Sequence, residues 1–302
     1  MSWIRPVGVV LVLVVVLGLL GCGGSSDNLV YQNISERAAW STANYLAFTA
    51  YGGNGQKYIY RCNQSGTAQV LLTKTANDVK VSDEGGWHPA FSPDADKVAF
   101  SGRRSGGTTS LYLMDALDGD RNTTAFKRLT DSSLAGQDIQ PNWRPDGTKI
   151  VFASDKVTSG GTGGLDIAVM NADGTGREWL VTNTDPDQWP CYNPDGTKIV
   201  YQSGPVGGKT DLHILDLATT ADTNLTAALR NGASDDTRFE APTWAKIGTQ
   251  EWIYFHSNRD GDFDLFRIKP DGTSFTQITK DPRSDGYPVV NPTGTKVLFT
   301  RD

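Results

Sequence analysis

The stretch "YNPDGTKIVY" (192–201) decides the fold, because close copies of it stand at 143–152 ("WRPDGTKIVF") and 290–299 ("VNPTGTKVLF"). In "NPDGTK" the proline fixes φ at a turn corner and the glycine takes the positive φ that costs other residues energy. The aspartate can cap the turn with its own side chain, and Thr-Lys starts the next strand. The variants keep that logic: "SPDADK" (92–97) retains the Pro-Asp corner at Asp94, and "NPTGTK" loses the aspartate but retains Gly294. A metal site would not surrender its carboxylate in one copy and its glycine in another. Asp146, Gly147, Asp195 and Gly196 are therefore read with Asp94 and Gly294 as structural turn residues.

Outward from this corner the same grammar recurs with a period of about 50 residues, at the upper end for propeller blades. An aromatic residue precedes each turn in five units, namely Trp40, Phe91, Trp143, Tyr192 and Trp244, with Val290 in that place in a sixth. After the turn come a β-rich run such as "KIVFAS" (149–154), a Gly-rich loop and a third run such as "DIAVMN" (166–171). A fourth run ends in Leu-Thr or a near relative, as in "KRLT" (127–130). Four short strands cannot bury both faces of one sheet, whereas repetition around an axis packs each sheet on its neighbours and protects the edges. The expected fold is all-β, a six-bladed β-propeller of four-stranded antiparallel blades over residues 29–302. The last unit ends after its second strand, and "LVYQNIS" (29–35) matches a fourth strand. This amino-terminal strand is therefore expected to close the last blade, leaving it three-stranded or sliding into the vacant place.

The grammar "P-x-W-x-P-D-G-T-K-I-V-F-x-S … D-I/L-x-x-M/I-x-x-D-G … L/I-T" resembles the TolB-type propeller repeat, over roughly residues 29–302. That resemblance implies a bacterial envelope location and a protein-binding or scaffolding role. TolB carries a separate α/β domain before its propeller. Here only Gly23 to Asn28 separate the leader from the first strand, so the expectation is a TolB-like propeller without that domain.

The 302 residues carry a formal net charge of −6 and are 38% apolar, with no Lys/Arg cluster. A folded body is implied, and binding to nucleic acid by counterion release is disfavoured. Residues 1–21 read as a leader: Arg5 supplies the positive start, Val7 to Leu20 form an apolar run of about 14 residues, and "LLGC" closes it at Cys22. That run is short for a spanning helix, which needs roughly 20 residues. The segment resembles the bacterial lipoprotein signal, which implies lipidation of Cys22, a linker over 22–28 and a tether at the periplasmic side of the outer membrane; a monomer is expected. Cys62 and Cys191 fall in different blades and are expected to be buried and unpaired.

Propellers use loops around one channel mouth. "DIQP" (138–141), "DQWP" (187–190) and "DGYP" (285–288) each place an aspartate three residues before proline, and "GGWHP" (85–89) and "RFEAP" (238–242) occupy the matching places. Radial symmetry is expected to bring Asp138, Asp187, Asp285, Glu240 and His88 to one mouth, with Trp87, Trp189 and Tyr287 nearby. The alternative is that each aspartate caps its own turn. Carboxylates with aromatics could hold a cation such as calcium, a basic peptide or an envelope glycan. No nucleophile elbow, His-Glu-x-x-His pair or phosphate loop occurs, and no cofactor is expected. The reading is a protein- or peptide-binding module; the alternative is a glycan-processing lyase or glycosidase using Glu240 with Asp138 or Asp187 as paired carboxylates.

Overall fold

The structure is a computed structural model that describes residues 15–16, 37–51, 57–66, 68–73, 86–103, 107–116, 126–131, 133–156, 164–205, 207–230, 235–280 and 282–301. Cys22 and residues 29–35 lie outside the described residues. Among the described residues no helix is long and apolar enough to cross a membrane.

Five four-stranded antiparallel blades follow one another along the chain, each with its strands A to D in simple sequential order. Strands A and B of blades 1 to 5 are Ala39–Trp40 and Tyr45–Tyr51, Gly86–Phe91 and Lys97–Arg103, Asp138–Trp143 and Lys149–Ser154, Asp187–Tyr192 and Lys198–Ser203, and Phe239–Ile247 and Gln250–Ser257. The sixth sheet departs from the expected four-stranded blade. It has three strands: Asp285–Val290, Val297–Arg301 and the two-residue strand Val15–Val16, which pairs parallel to the second with Val15 opposite Leu298 and Val16 opposite Phe299. Among the described residues no strand C follows Val297–Arg301, whose outer edge would otherwise be a bare ladder. A short segment from the stretch read as a leader occupies that edge in place of the expected residues 29–35.

Strand A of each sheet lies beside strand A of its neighbours all the way round, the first beside the sixth included, so these strands line the axis. Apolar clusters fill the gaps between sheets. Trp143, Ile150 and Phe152 pack with Ala99 and Leu111 of the preceding blade, and Val289 and Leu298 of the sixth sheet pack with Trp40, Leu46 and Phe48 of the first. The recurring aromatic is the residue that crosses this gap, as when Trp143 Nε1 donates to the Ala90 carbonyl at 3.1 Å.

Two other repeat signatures acquire a physical reason. The Leu-Thr at the end of the fourth run docks it on strand C: Leu72, Leu129 and Leu225 donate their N–H groups to the carbonyls of Ile59, Leu111 and Leu212 at 2.8 Å. The adjacent hydroxyls of Thr73, Thr130 and Thr226 accept the N–H groups of those same three residues at 3.0 Å. At the A–B corners Asp146 Oδ1 accepts Thr148 N–H at 2.9 Å and Asp195 Oδ1 accepts Thr197 N–H at 3.0 Å, while Gly147, Gly196 and Gly294 sit at φ of 74°, 73° and 70°. In "SPDADK" Ala95 takes the glycine's place at φ 63°, and Asp94 accepts the Ser92 hydroxyl at 2.5 Å. Cys62 and Cys191, in blades 1 and 4, are buried, and neither forms a disulfide.

Candidate functional site

The three "D-x-x-P" aspartates do not converge on the channel. Each is fully buried and is held inside its own sector, across the ladder from the end of strand B, where Asp138, Asp187 and Asp285 pair with Ser154, Ser203 and Arg301. Asp138 accepts Ser154 Oγ at 2.7 Å and lies 2.8 Å from Lys156 Nζ and 3.1 Å from Arg177 Nη1. Asp285 receives a two-pronged contact from Arg301, Nε to Oδ1 at 2.5 Å and Nη2 to Oδ2 at 2.7 Å. Asp187 accepts the Asn183 side-chain amide at 2.8 Å, and burial pushes its carboxyl up to about 7. Ser203 and Asn183 pull that value down, and the Asp166 carboxylate adds to the rise. Held in this way, these residues do not present an acidic ring to the channel. Among the described residues no group of three or more His, Cys, Asp or Glu side chains is placed to hold a metal ion.

What faces the channel is the residue just before each proline. In the five sectors from blade 2 onward the A–B ladder shifts register at this point, and the residue takes a left-handed conformation. His88, Gln140, Trp189, Ala241 and Tyr287 have φ of 52°, 58°, 55°, 48° and 53°. Bulky side chains in that region cost about 1–2 kcal/mol each, and a bulge re-aims the side chain it carries. Repetition in five sectors makes it an architectural device.

A bulge also frees a backbone N–H from the ladder, and here the neighbouring blade supplies an acceptor. Gln140 N–H donates to Ser101 Oγ at 3.2 Å and Trp189 N–H to Gln140 Oε1 at 2.8 Å. Ala241 N–H donates to Gln202 Oε1 at 3.1 Å, and Tyr287 N–H to His256 Nδ1 at 3.2 Å. The last bond fixes the His256 tautomer. Its Nδ1 is an acceptor, so Nε2 carries the hydrogen toward Glu240 Oε2 at 3.3 Å. With both ring nitrogens engaged and the residue buried, His256 is held as a strut beneath Tyr287.

This ring of bulges brings together three of the sequence-predicted residues. The rings of His88 and Trp189 are 5.0 Å apart edge to face, Trp189 and Tyr287 are 5.2 Å apart, and His256 and Tyr287 are 5.0 Å apart. Glu240 stays at the mouth beside His256 and 3.8 Å from Arg238, whose guanidinium covers Phe263. Trp87 is half-buried on strand A of blade 2, opposite Ser101. Sequence reasoning missed Arg37 and Gln140. Arg37 stands three residues before Trp40, as His88 stands three before Phe91, so it is the blade 1 counterpart of the bulge residues. It reaches across the axis to place its guanidinium 5.2 Å from the Trp189 ring centroid, and Nη2 donates to the Pro242 carbonyl.

The same fold is found in known proteins. No family model matches the chain. An uncharacterized protein of Agrobacterium fabrum is 32% identical over 89 residues, which is 30% of this chain and 27% of that protein. A solved structure assigned as TolB from Agrobacterium tumefaciens superposes with a TM-score of 0.57 at 22% identity, over 71% of this chain and 69% of the other. TolB from Acinetobacter baumannii superposes with a TM-score of 0.63 at 20% identity, over 90% of this chain and 57% of the other. The fold is a TolB-type β-propeller. The chain thus spans little more than half of Acinetobacter TolB and about a quarter of the Agrobacterium fabrum relative, so the likeness carries the architecture and leaves activity to the site.

Proposed function

We propose that this TolB-type propeller is an envelope protein, tethered by lipid on Cys22, that binds a protein or peptide partner at the channel mouth. The observation that carries the reading is the convergence of Arg37, His88, Trp189 and Tyr287 from four different sectors. Aromatic rings and one guanidinium gathered at one place are the residue types that anchor protein interfaces. Likeness to TolB supports the same class of role and the bacterial envelope as its place, as fold analogy. Residues 29–35 are proposed to complete the sixth sheet once the leader has been removed, because Val297–Arg301 then has a free edge. Mass spectrometry of the mature amino terminus tests the tether, and an unmodified Cys22 removes it.

The binding reading is tested by capture from detergent-solubilised envelopes, with the wild-type chain beside Trp189→Ala and Tyr287→Ala. The expected result is a partner held by the wild type and lost from both variants while their melting temperatures show them folded. Equal capture by all three chains would place recognition elsewhere on the ring.

A further inference from the structure

We infer that the channel mouth is a receptor for a carboxylate group, held by the Arg37 guanidinium and the Gln140 side-chain amide between the rings of Trp189 and Tyr287. The inference rests on the channel mouth being the binding face, and it specifies the chemistry taken there. It also reverses the polarity expected from the sequence, in which an acidic mouth would take a cation.

Among the described residues Arg37 is a cation with few partners. Its Nη2 bonds to the Pro242 carbonyl, its guanidinium lies over Trp189, and its Nε is buried with no hydrogen-bond partner. Among the described residues no carboxylate is within ion-pair distance of it. The acids of neighbouring sectors are committed elsewhere: Asp138 to Lys156 and Arg177, Asp285 to Arg301, and Glu240 to His256 and Arg238. Charges withdrawn from water are ordinarily paired, so a half-buried guanidinium whose Nε is buried without a partner points to an anion that the described residues do not supply. Burial also pushes its pKa below the ordinary arginine value, with Cys191 and Tyr287 acting in the opposite direction.

Gln140 points the same way. Its Oε1 is occupied by Trp189 N–H, so the free end of the amide is its NH2, a donor. Trp189 is the common neighbour of both groups, through its ring for Arg37 and its backbone for Gln140. A planar fork, a second donor and flat aromatic walls match a carboxylate on an apolar stem. Both a peptide carboxyl terminus and an acidic side chain offer that group.

The test titrates the full chain calorimetrically with four dipeptides: N-acetyl-Gly-Phe with a free carboxylate, its amide, N-acetyl-Asp-Phe-amide and N-acetyl-Lys-Phe-amide. Binding of either or both acids, with the neutral amide and the lysine peptide weaker by roughly tenfold or more, is the expected result, since a hydrogen bond to a charged group is at stake. The stronger acid shows whether the chain end or the side chain is preferred. Arg37→Met should lose that preference. Gln140→Glu keeps the acceptor for Trp189 N–H but replaces the NH2 donor with a negative charge, and should turn the preference toward the lysine peptide. It serves as the decisive variant if Arg37→Met does not fold. Equal binding of acid and amide, binding unaffected by both variants, or no binding of either acid overturns the inference. In those cases partner capture lost in Trp189→Ala would still support the channel-mouth reading, whereas capture retained there would end both.

Discussion

Asp187 makes the stability of the ring depend on pH in a direction opposite to the common one. The carboxyl is fully buried where blade 3 leads into blade 4, with one good donor, Asn183 Nδ2 at 2.8 Å, and burial raises it to about 7. In the unfolded chain an aspartate gives up its proton near about 4, so between about 4 and 7 the folded state binds the extra proton and stability falls as pH rises. At about 1.4 kcal/mol per pH unit, that span gives a ceiling of about 4 kcal/mol, present in full below the unfolded value and gone above the folded one. Partial relaxation around the ionised group reduces it, so about 2–4 kcal/mol is expected, or a fall in melting temperature of roughly 4–16 °C for a domain of this size. Asp187→Asn keeps an acceptor for Asn183 and removes the titration. Calorimetric scans of both chains from pH 4.5 to 8 should show the wild type losing stability across the range relative to the variant. The surface turn aspartates Asp146 and Asp195, and Asp216, which is lowered to about 2, act with the opposite sign at lower pH and are shared by both chains. Parallel profiles for the two chains would refute the assignment.

Further outcomes follow from the same packing. Asp138→Asn leaves the fully buried Lys156 ammonium without its carboxylate at 2.8 Å, and should cost about 3–5 kcal/mol by urea denaturation, with Asp138→Asn/Lys156→Met recovering part of it. Gly174 has φ 93° and a β-carbon there would lie 2.6 Å from the Leu129 carbonyl oxygen, so Gly174→Ala should cost about 2 kcal/mol or more. Gly147→Ala, with open space and Ala95 already standing in the matching place of blade 2, should cost about 1 kcal/mol. Deleting residues 29–35 should lower the melting temperature of the mature chain, and an unchanged value would refute their closing the sixth sheet.

The elements legible in the sequence are those whose constraint is local and recurs. The Pro-Asp-Gly corner, the aromatic before it and the Leu-Thr that docks strand D on strand C each need particular residue types at fixed spacing, so repetition displays them. The direction of the aspartates was not legible, because alternation along a strand assumes an unbroken ladder. The register shift between Gln188 and Cys191, and its counterparts, breaks that parity: Asp187 turns into the sheet and Trp189 into the channel. A signal was present in the residue preceding each proline at 89, 141, 190, 242 and 288, which five sectors set aside for one conformation. Arg37 escaped notice because Ala38 stands where the other sectors have proline. The sixth sheet could not be read through because its third strand is supplied from a distant part of the chain, which no local pattern records.

The most direct measurement is site-specific photocrosslinking in intact cells. The photoreactive p-benzoylphenylalanine would be placed at Tyr287 in the channel mouth and, separately, at exposed Thr175 in the C–D turn of blade 3. Partner recognition at the mouth predicts a discrete adduct from position 287, diminished by Arg37→Met, and none from position 175. Adducts from 175 with none from 287 would contradict it.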